Sequence, residues 1–390
     1  MKKNILSIAA FAVLAQSAAS GLFAIPAFGR KYQMTCKTCH APFPRIKPYG
    51  DEFAGNGFVI KDKEAPRYFV DTGDSFLSLL REVPLALRLE GFLTYNNSRS
   101  RQVDFTSPYI LKLLSGGEIT KNVSYFFYFF FSERGEVAGI EDAFVMFNSL
   151  FGTDLNLYVG QFQVSDPLFK RELRLTFEDY KIYSSRVGES TIDLTYDRGI
   201  MLTYGLATGT DFTLEVVNGS GIGAANPIRN FDSDKYKNLV FRLSQDVAEG
   251  FRIGGIGYIG KEEKRGLGNA LWMAGADATV GGEKLELNLQ YVERRDDNPH
   301  FSWLDTPAVK TRGGFAELVY LPRGDDSRWY VAGLLNWVDS EAEDLDYSSA
   351  TAHFGRMLRR NIRATAELTY IFKGPHQKHG RVAFGLVTGF

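Results

Sequence analysis

Only two cysteines occur in 390 residues, and they stand three positions apart. So small a number excludes a secreted scaffold built on disulfides. Charge of either sign is not in excess: 45 Lys and Arg face 46 Asp and Glu, a net charge of −1. That balance offers no basic face for a polyanion, and no nucleic-acid partner is expected. Long hydrophobic runs are missing as well. The most apolar stretch, VSYFFYFFF at 123–131, falls far below the ~20 residues of a membrane-spanning helix. No glycine-rich phosphate loop, nucleophile–His–Asp arrangement or strand–helix dinucleotide fingerprint occurs, so no catalytic side chain is identified.

The amino-terminal residues show a targeting pattern. Lys2 and Lys3 precede an apolar run from Ile5 to Ala15, then small residues from Ser17 to Ser20. This reads as a secretory signal peptide cleaved after Ala24 or Ser20. Residues 1–24 are taken as leader, 25–80 as a small cofactor-bearing segment and 81–390 as the main domain.

From about residue 84 onward, apolar residues recur at every second position. In KLELNLQY, Leu285, Leu287, Leu289 and Tyr291 share one face, with Lys284, Glu286, Asn288 and Gln290 on the other. NIRATAELTYIF sets Ile362, Ala364, Ala366, Leu368, Tyr370 and Phe372 against Arg363, Thr365, Glu367 and Thr369. A period of two means half-buried strands. About sixteen are counted, starting near 84, 109, 122, 138, 154, 198, 211, 236, 251, 269, 283, 312, 327, 349, 361 and 380. Connections at 97–108, 164–197, 219–235, 295–311 and 339–348 are long, whereas those at 207–210, 247–250 and 358–360 are tight. An even strand number with long loops on one side predicts an all-β, sixteen-stranded transmembrane barrel of the outer-membrane type, in contact with outer-membrane lipid. A soluble sandwich would alternate too, but would not segregate its loops. Trp329 and Trp337 bracket one face of RWYVAGLLNWV, spaced like the two aromatic girdles of such barrels. The chain ends RVAFGLVTGF on Phe390, resembling the closing strand by which such barrels are recognised for insertion.

The two cysteines belong to CKTCH: Cys36, Cys39 and His40. C-x-x-C-H is the spacing of c-type haem attachment. Two thiols can each form a thioether to one haem, and the adjacent imidazole then reaches the iron as proximal ligand. A Cys36–Cys39 disulfide is an alternative but leaves His40 without a role. Zinc would need further Cys or His ligands nearby, and a thioredoxin-like pair would need a βαβ setting. The expected cofactor is one covalent haem c. The segment before the first strand is too short to wrap a haem alone, so the barrel lumen is expected to cover it.

The stretch AIPAFGRKYQMTCKTCHAPFPRIKPYGDEFAGNGF resembles the amino terminus of the fused monohaem cytochrome–porins of the outer membrane, known as iron oxidases of iron-oxidising bacteria. The resemblance rests on Ala24 to Phe28, Arg30, the Cys36/Cys39/His40 site, Phe43 and Pro44, the Pro48-Tyr49-Gly50 run, Phe53, Gly57 and Phe58. It implies a haem plug in the barrel and an Fe(II)-oxidising oxidoreductase. Electrons would then pass from extracellular Fe(II) to a soluble periplasmic cytochrome or similar carrier. It also implies an outer-membrane protein with its amino terminus and haem on the periplasmic side or inside the barrel. Two other readings use the same parts: a porin-like channel or structural barrel in which haem plugs or senses, and a conduit to an extracellular acceptor.

The second axial ligand is open. On the strand registers, Met146, Met201, Met273, Met357 and His353 face the lumen. A methionine there would give a His/Met iron of raised potential; the alternative is packing against the segment. Phe126 and Phe130 are the expected wall against which Phe43, Tyr49, Phe53 and Phe58 pack. Loop 164–197 is long enough to fold inward, and its carboxylates could receive a hard cation such as Fe(II); the alternative is a solvated surface loop. Arg30, Lys31, Lys37, Arg45 and Lys47 are candidate partners of the haem propionates.

Overall fold

A computed structural model describes residues 27–60, 69–70, 73–74, 79–80, 83–98, 102–304, 307–359, 361–375 and 378–389. The leader and Phe390 lie outside the described residues. The sixteen long strands are β1 (Leu85–Asn96), β2 (Gln102–Thr120), β3 (Val123–Glu133), β4 (Gly139–Leu150), β5 (Leu155–Gln163), β6 (Tyr196–Gly205), β7 (Thr210–Val217) and β8 (Asn238–Ala248). They continue as β9 (Phe251–Lys264), β10 (Leu267–Gly281), β11 (Leu285–Asp296), β12 (Val309–Tyr320), β13 (Trp329–Ser340), β14 (Tyr347–Arg359), β15 (Ile362–Lys373) and β16 (His379–Gly389). Each pairs with its chain neighbours, and β16 pairs antiparallel with β1, closing the barrel. The closed barrel leaves none of its sixteen strands with an unpaired edge, the condition for crossing hydrocarbon with strands.

The two faces of the wall are inverted relative to a water-soluble barrel. On β8, Leu239, Phe241 and Leu243 point outward and are 45%, 52% and 48% exposed, whereas inward Arg242 and Ser244 are 8% and 3% exposed. Trp329 and Trp337 likewise point outward from the two ends of β13. Apolar outside and polar inside places lipid around the wall.

Strand starts fall within three residues of expectation, with one exception. β2 begins at Gln102, so the expected loop 97–108 shrinks to 97–101. Pro108, which argues against a strand, sits where the register between β1 and β2 shifts, opposite Glu90 to Phe92. A bulge there lets the strand run past a residue that cannot donate to the ladder. The other long connections settle at 164–195, 218–237, 297–308 and 341–346; the opposite end carries 121–122, 206–209 and 249–250. The barrel therefore has a loop end and a turn end.

Loop 164–195 folds into the lumen and crosses it. Tyr180 stacks on Phe315 of β12 at 4.1 Å, and Tyr183 donates to Gln290 of β11 at 3.0 Å. The backbone amides of Phe177 and Glu178 donate to the Glu367 carboxylate of β15 at 2.6 and 2.9 Å. On β11, Arg294 donates to the Ile192 carbonyl and the Ser190 hydroxyl.

Candidate functional site

Among the described residues, three short helices precede the barrel: α1 (Ala27–Tyr32), α2 (Cys36–Cys39) and α3 (Pro48–Gly55). α2 is a single turn, closed by the His40 amide donating to the Cys36 carbonyl at 2.9 Å. It brings both thiols and the imidazole to one turn of backbone. Both cysteines are free thiols, so they form no disulfide. Burial raises the Cys39 thiol above its ordinary range, with the neighbouring Cys36 adding to it and Lys47 opposing.

His40 is oriented by its own chain. Its Nδ1 lies 2.9 Å from the Pro44 carbonyl and 3.3 Å from that of Arg45, and its ring packs edge-on against Phe43. Two carbonyls can only accept, so the pattern assigns the proton to Nδ1. Burial also lowers the imidazole below the ordinary histidine range, against those two hydrogen bonds, so it is neutral. Among the described residues no hydrogen bond reaches Nε2. A metal-ligating histidine commonly donates its other ring N–H to a backbone carbonyl, which fixes tautomer and ring direction, and neutral His40 has that arrangement. The donor set would fit haem c: two free thiols and a neutral imidazole whose Nδ1 is fixed and whose Nε2 takes no hydrogen bond among the described residues.

The residues around this turn explain the motif's glycines. Pro48 opens α3 at a position where no amide donor is needed. Gly50 then lies so close that a Cβ would stand 2.6 Å from the Cys39 carbonyl oxygen. Gly57, at φ +72°, would set a Cβ 2.2 Å from the Ser124 hydroxyl of β3. Phe58 stacks between Phe28 and Phe126, at 4.9 Å from each, and Phe53 meets Phe28, Tyr32 and Phe58 edge-on. Phe126 is thus the expected wall. Phe130 is not; it packs on Tyr128 and under the Lys112 ammonium.

The segment sits at the turn end of the lumen. Lys37 and Lys47 pair with Asp326 and Asp325 in the turn between β12 and β13, at 2.8 and 2.5 Å. Arg45 pairs with Glu286 at the start of β11, and Asn148 of β4 donates to the Gly55 carbonyl. Lys170 of the inward loop reaches Asp51 of α3 at 3.2 Å. Lys37, Arg45 and Lys47, expected to serve propionates, are instead spent on the barrel's mouth. The Arg30 side chain lies outside what is described.

The loop carboxylates, expected to receive a cation, are paired as well. Glu172 holds Lys112 at 2.8 Å; burial pushes it up, but Lys112, Arg174 and Arg88 bring it down to about 2. Asp179 holds Arg171, and Glu178 accepts from Tyr347 and Arg381. Among the described residues, no three His, Cys, Asp or Glu side chains converge to hold a metal ion.

All five axial candidates lie on strands, but they are scattered. Met201 and Met273 are buried in the cluster that Tyr180, Tyr183 and Leu194 of the loop cover. Met146 accepts from Asn148 Nδ2 at 2.6 Å. His353 uses both ring nitrogens, Nδ1 to Glu367 and Nε2 to the Tyr330 hydroxyl. Met357 is half-buried near the turn end of β14, paired in register with Arg363 of β15.

Residues not foreseen are the wall arginines beside the site. Arg88 of β1, 8% exposed, places its guanidinium 6.0 Å from the Phe43 ring that packs on His40. Arg363, 3% exposed, stands on the same part of the wall, where β15, β16 and β1 are neighbours. Alternation marks Arg363 as inward. It carries no information on what lies opposite.

No family model and no curated protein matches the sequence. Solved structures do match in fold. The chain resembles the anion-selective porin of Comamonas acidovorans at 12% identity, over 79% of this chain and 99% of that one, with a TM-score of 0.57. The outer-membrane channel DcaP of Acinetobacter baumannii gives 13% identity, 79% and 97% coverage and a TM-score of 0.57. OmpF of Salmonella typhi, in complex with daunomycin, gives 11% identity, 78% and 97% coverage and a TM-score of 0.55. The chain has the porin-type barrel fold.

Proposed function

We propose that this protein is an outer-membrane electron conduit. One haem c, joined to Cys36 and Cys39 and ligated by His40, would pass electrons from an extracellular donor, Fe(II), to a soluble periplasmic cytochrome or similar carrier. The supporting observation is the CKTCH turn itself, with thiols free and the His40 Nδ1–H fixed on Pro44 so that Nε2 is left for iron. The haem supplies a one-electron couple whose potential depends on axial ligand and surroundings. The chain's own work is to hold it: His40 fixes the ligand direction, Gly50 lets α3 lie across the turn, and Phe58 docks the segment on β3. In this reading the turn end faces the periplasm and the long loops face outward. Of the second-ligand candidates, Met357 is the first to test, because His353 is committed to Glu367 and Tyr330.

A porin-like channel or structural barrel, with haem as plug or sensor, is the second reading. The match to porins over nearly their full length favours it. A conduit to an extracellular acceptor would use the same residues with electrons reversed. The readings separate on one preparation of the purified protein. Replacing Cys36→Ala and Cys39→Ala should abolish the covalent haem band on a denaturing gel while the barrel still folds. Fe(II) should shift the Soret band of the wild type in stopped flow, and a planar bilayer should show little conductance. Haem staining that survives the double variant ends the c-type reading; a haem that Fe(II) leaves untouched in an open pore hands the case to the channel.

A further inference from the structure

A small cavity of about 20 Å³ lies in the lumen beside Arg88. Glu172 and Arg174 to Phe177 of the inward loop line one side; Arg88 and Glu90 of β1, Arg363 and Thr365 of β15 and His353 of β14 line the wall. Three guanidiniums, those of Arg88, Arg174 and Arg363, meet two carboxylates there, those of Glu90 and Glu172.

The two carboxylates are already engaged. Glu90 is bound by Arg88, and Glu172 is shared with Lys112. Nearby Glu367 is taken by His353 and two loop amides. Arg363 is left with one hydrogen bond, from Nη1 to the Tyr330 hydroxyl at 2.6 Å, and a ring contact to Tyr330 at 5.9 Å. Its Nε is buried and makes no hydrogen bond; the Nε of Arg174 makes none either but lies 3.7 Å from the Asp179 carboxylate. Among the described residues no carboxylate comes within ion-pair reach of Arg363. A guanidinium does not deprotonate, so burial cannot neutralise it. A buried cation of that kind calls for an anion, and its planar fork matches a carboxylate.

We infer that this cavity is a carboxylate-binding site centred on Arg363, with Arg88 and Arg174 at its sides, and that a haem propionate is the carboxylate it takes. Arg88 links the cavity to the site: it lines the cavity and lies against Phe43, which packs on His40. A carboxylate on a short arm of a group held by His40 belongs in this neighbourhood. A free polycarboxylate such as citrate, a carrier of iron, would satisfy the same fork. The choice of propionate rests on the haem reading above; the carboxylate site does not.

The test uses the full-length protein and its haem-free form with Cys36→Ala and Cys39→Ala. Two measurements are made: citrate binding by calorimetry, and the haem midpoint potential by spectroelectrochemistry. The haem-free form should bind citrate, and Arg363→Gln should weaken that binding by about ten- to a hundredfold, with Arg363→Lys intermediate. Thr365→Glu, which plants a carboxylate in the cavity, should abolish binding while the barrel keeps its heat-modifiable mobility on gels. With haem in place, citrate should not bind. Arg363→Gln should then lower the midpoint potential, because a nearby cation favours the reduced, less positive haem. Citrate binding to the haem protein, lost in Arg363→Gln at unchanged potential, would keep the site but overturn propionate as occupant. Citrate affinity and potential both indifferent to Arg363 would overturn the site. A wild type with no Soret band but Arg363-dependent citrate binding would sink the haem reading alone.

Discussion

Two pieces of chain fill this barrel, and they are held by different physics. Loop 164–195 is bound through buried, charge-assisted hydrogen bonds to strands around the lumen: Glu367 to its amides, Arg294 to its carbonyls, Lys112 to Glu172. Segment 27–60 is bound by stacked rings, Phe28, Phe58 and Phe126, and by ion pairs of Lys37 and Lys47 with exposed aspartates at the mouth. Exposed pairs contribute little, about 0–1 kcal/mol each, so the rings and the half-buried Arg45–Glu286 pair carry the segment. The loop is part of the barrel's own fold. The segment is an insert, held at β3 and β4 on one side and at β11 and the β12–β13 turn on the other, and built around His40.

The largest effect should come from cutting the loop's anchor. Glu367 is 4% exposed and accepts from the Phe177 and Glu178 amides, from Thr369 and from His353. Glu367→Ala strands those donors and should cost the loop's anchorage on the order of 3–5 kcal/mol. Trypsin should then cut at Lys170, Arg171 or Arg174 in the folded barrel, and bilayer conductance should rise. A loop that stays protected and a pore that stays silent would mean the stacking of Tyr180 on Phe315 holds it instead.

A smaller effect belongs to the segment. Phe58 has an aromatic face on either side; Phe58→Ala should remove about 1.5–3 kcal/mol of burial from docking. Hydrogen exchange over 27–60 should quicken while that of the strands stays as it was. Equal quickening in both would erase the distinction between insert and fold.

The same distinction governs what could be read without coordinates. Alternation exposes a strand wherever one face is lipid and the other lumen, so β8 through β16 were legible to within a few residues. It failed at β2, where Pro108 hides a bulge. The CKTCH turn was legible as a unit because its five residues are adjacent in sequence; the haem it would carry is the proposal made above. Partner choice was not legible. Whether Lys37 meets a propionate or Asp326, or whether Arg363 meets anything, depends on residues far apart in sequence. That loop 164–195 could reach into the lumen was legible from its length; its inward direction and the engagement of its carboxylates were not.

The smallest effect is a pH dependence confined to the segment. Burial lowers Lys31 of α1 to about 8, with Glu118 of β2 opposing. An undocked Lys31 would titrate near its ordinary 10.5. Between those values the undocked state binds more protons, so docking strengthens as pH rises, by at most about tenfold per unit for one proton. Tyr32 closes the window from above: burial raises it to about 12, so an undocked Tyr32 ionises first, from its ordinary 10.0, and docking weakens again. Docking should therefore tighten from pH 8 to about pH 10 and then fall. Lys31→Met removes the rise and leaves the Tyr32 fall, and it should dock more tightly than the wild type at pH 7, where Lys31 must otherwise shed its proton or be buried charged. Hydrogen exchange over 27–60 at pH 7 and 9, corrected for intrinsic rates, measures both. Protection equal in the two proteins at both pH values would place the Lys31 ammonium in water and the segment further out of the barrel.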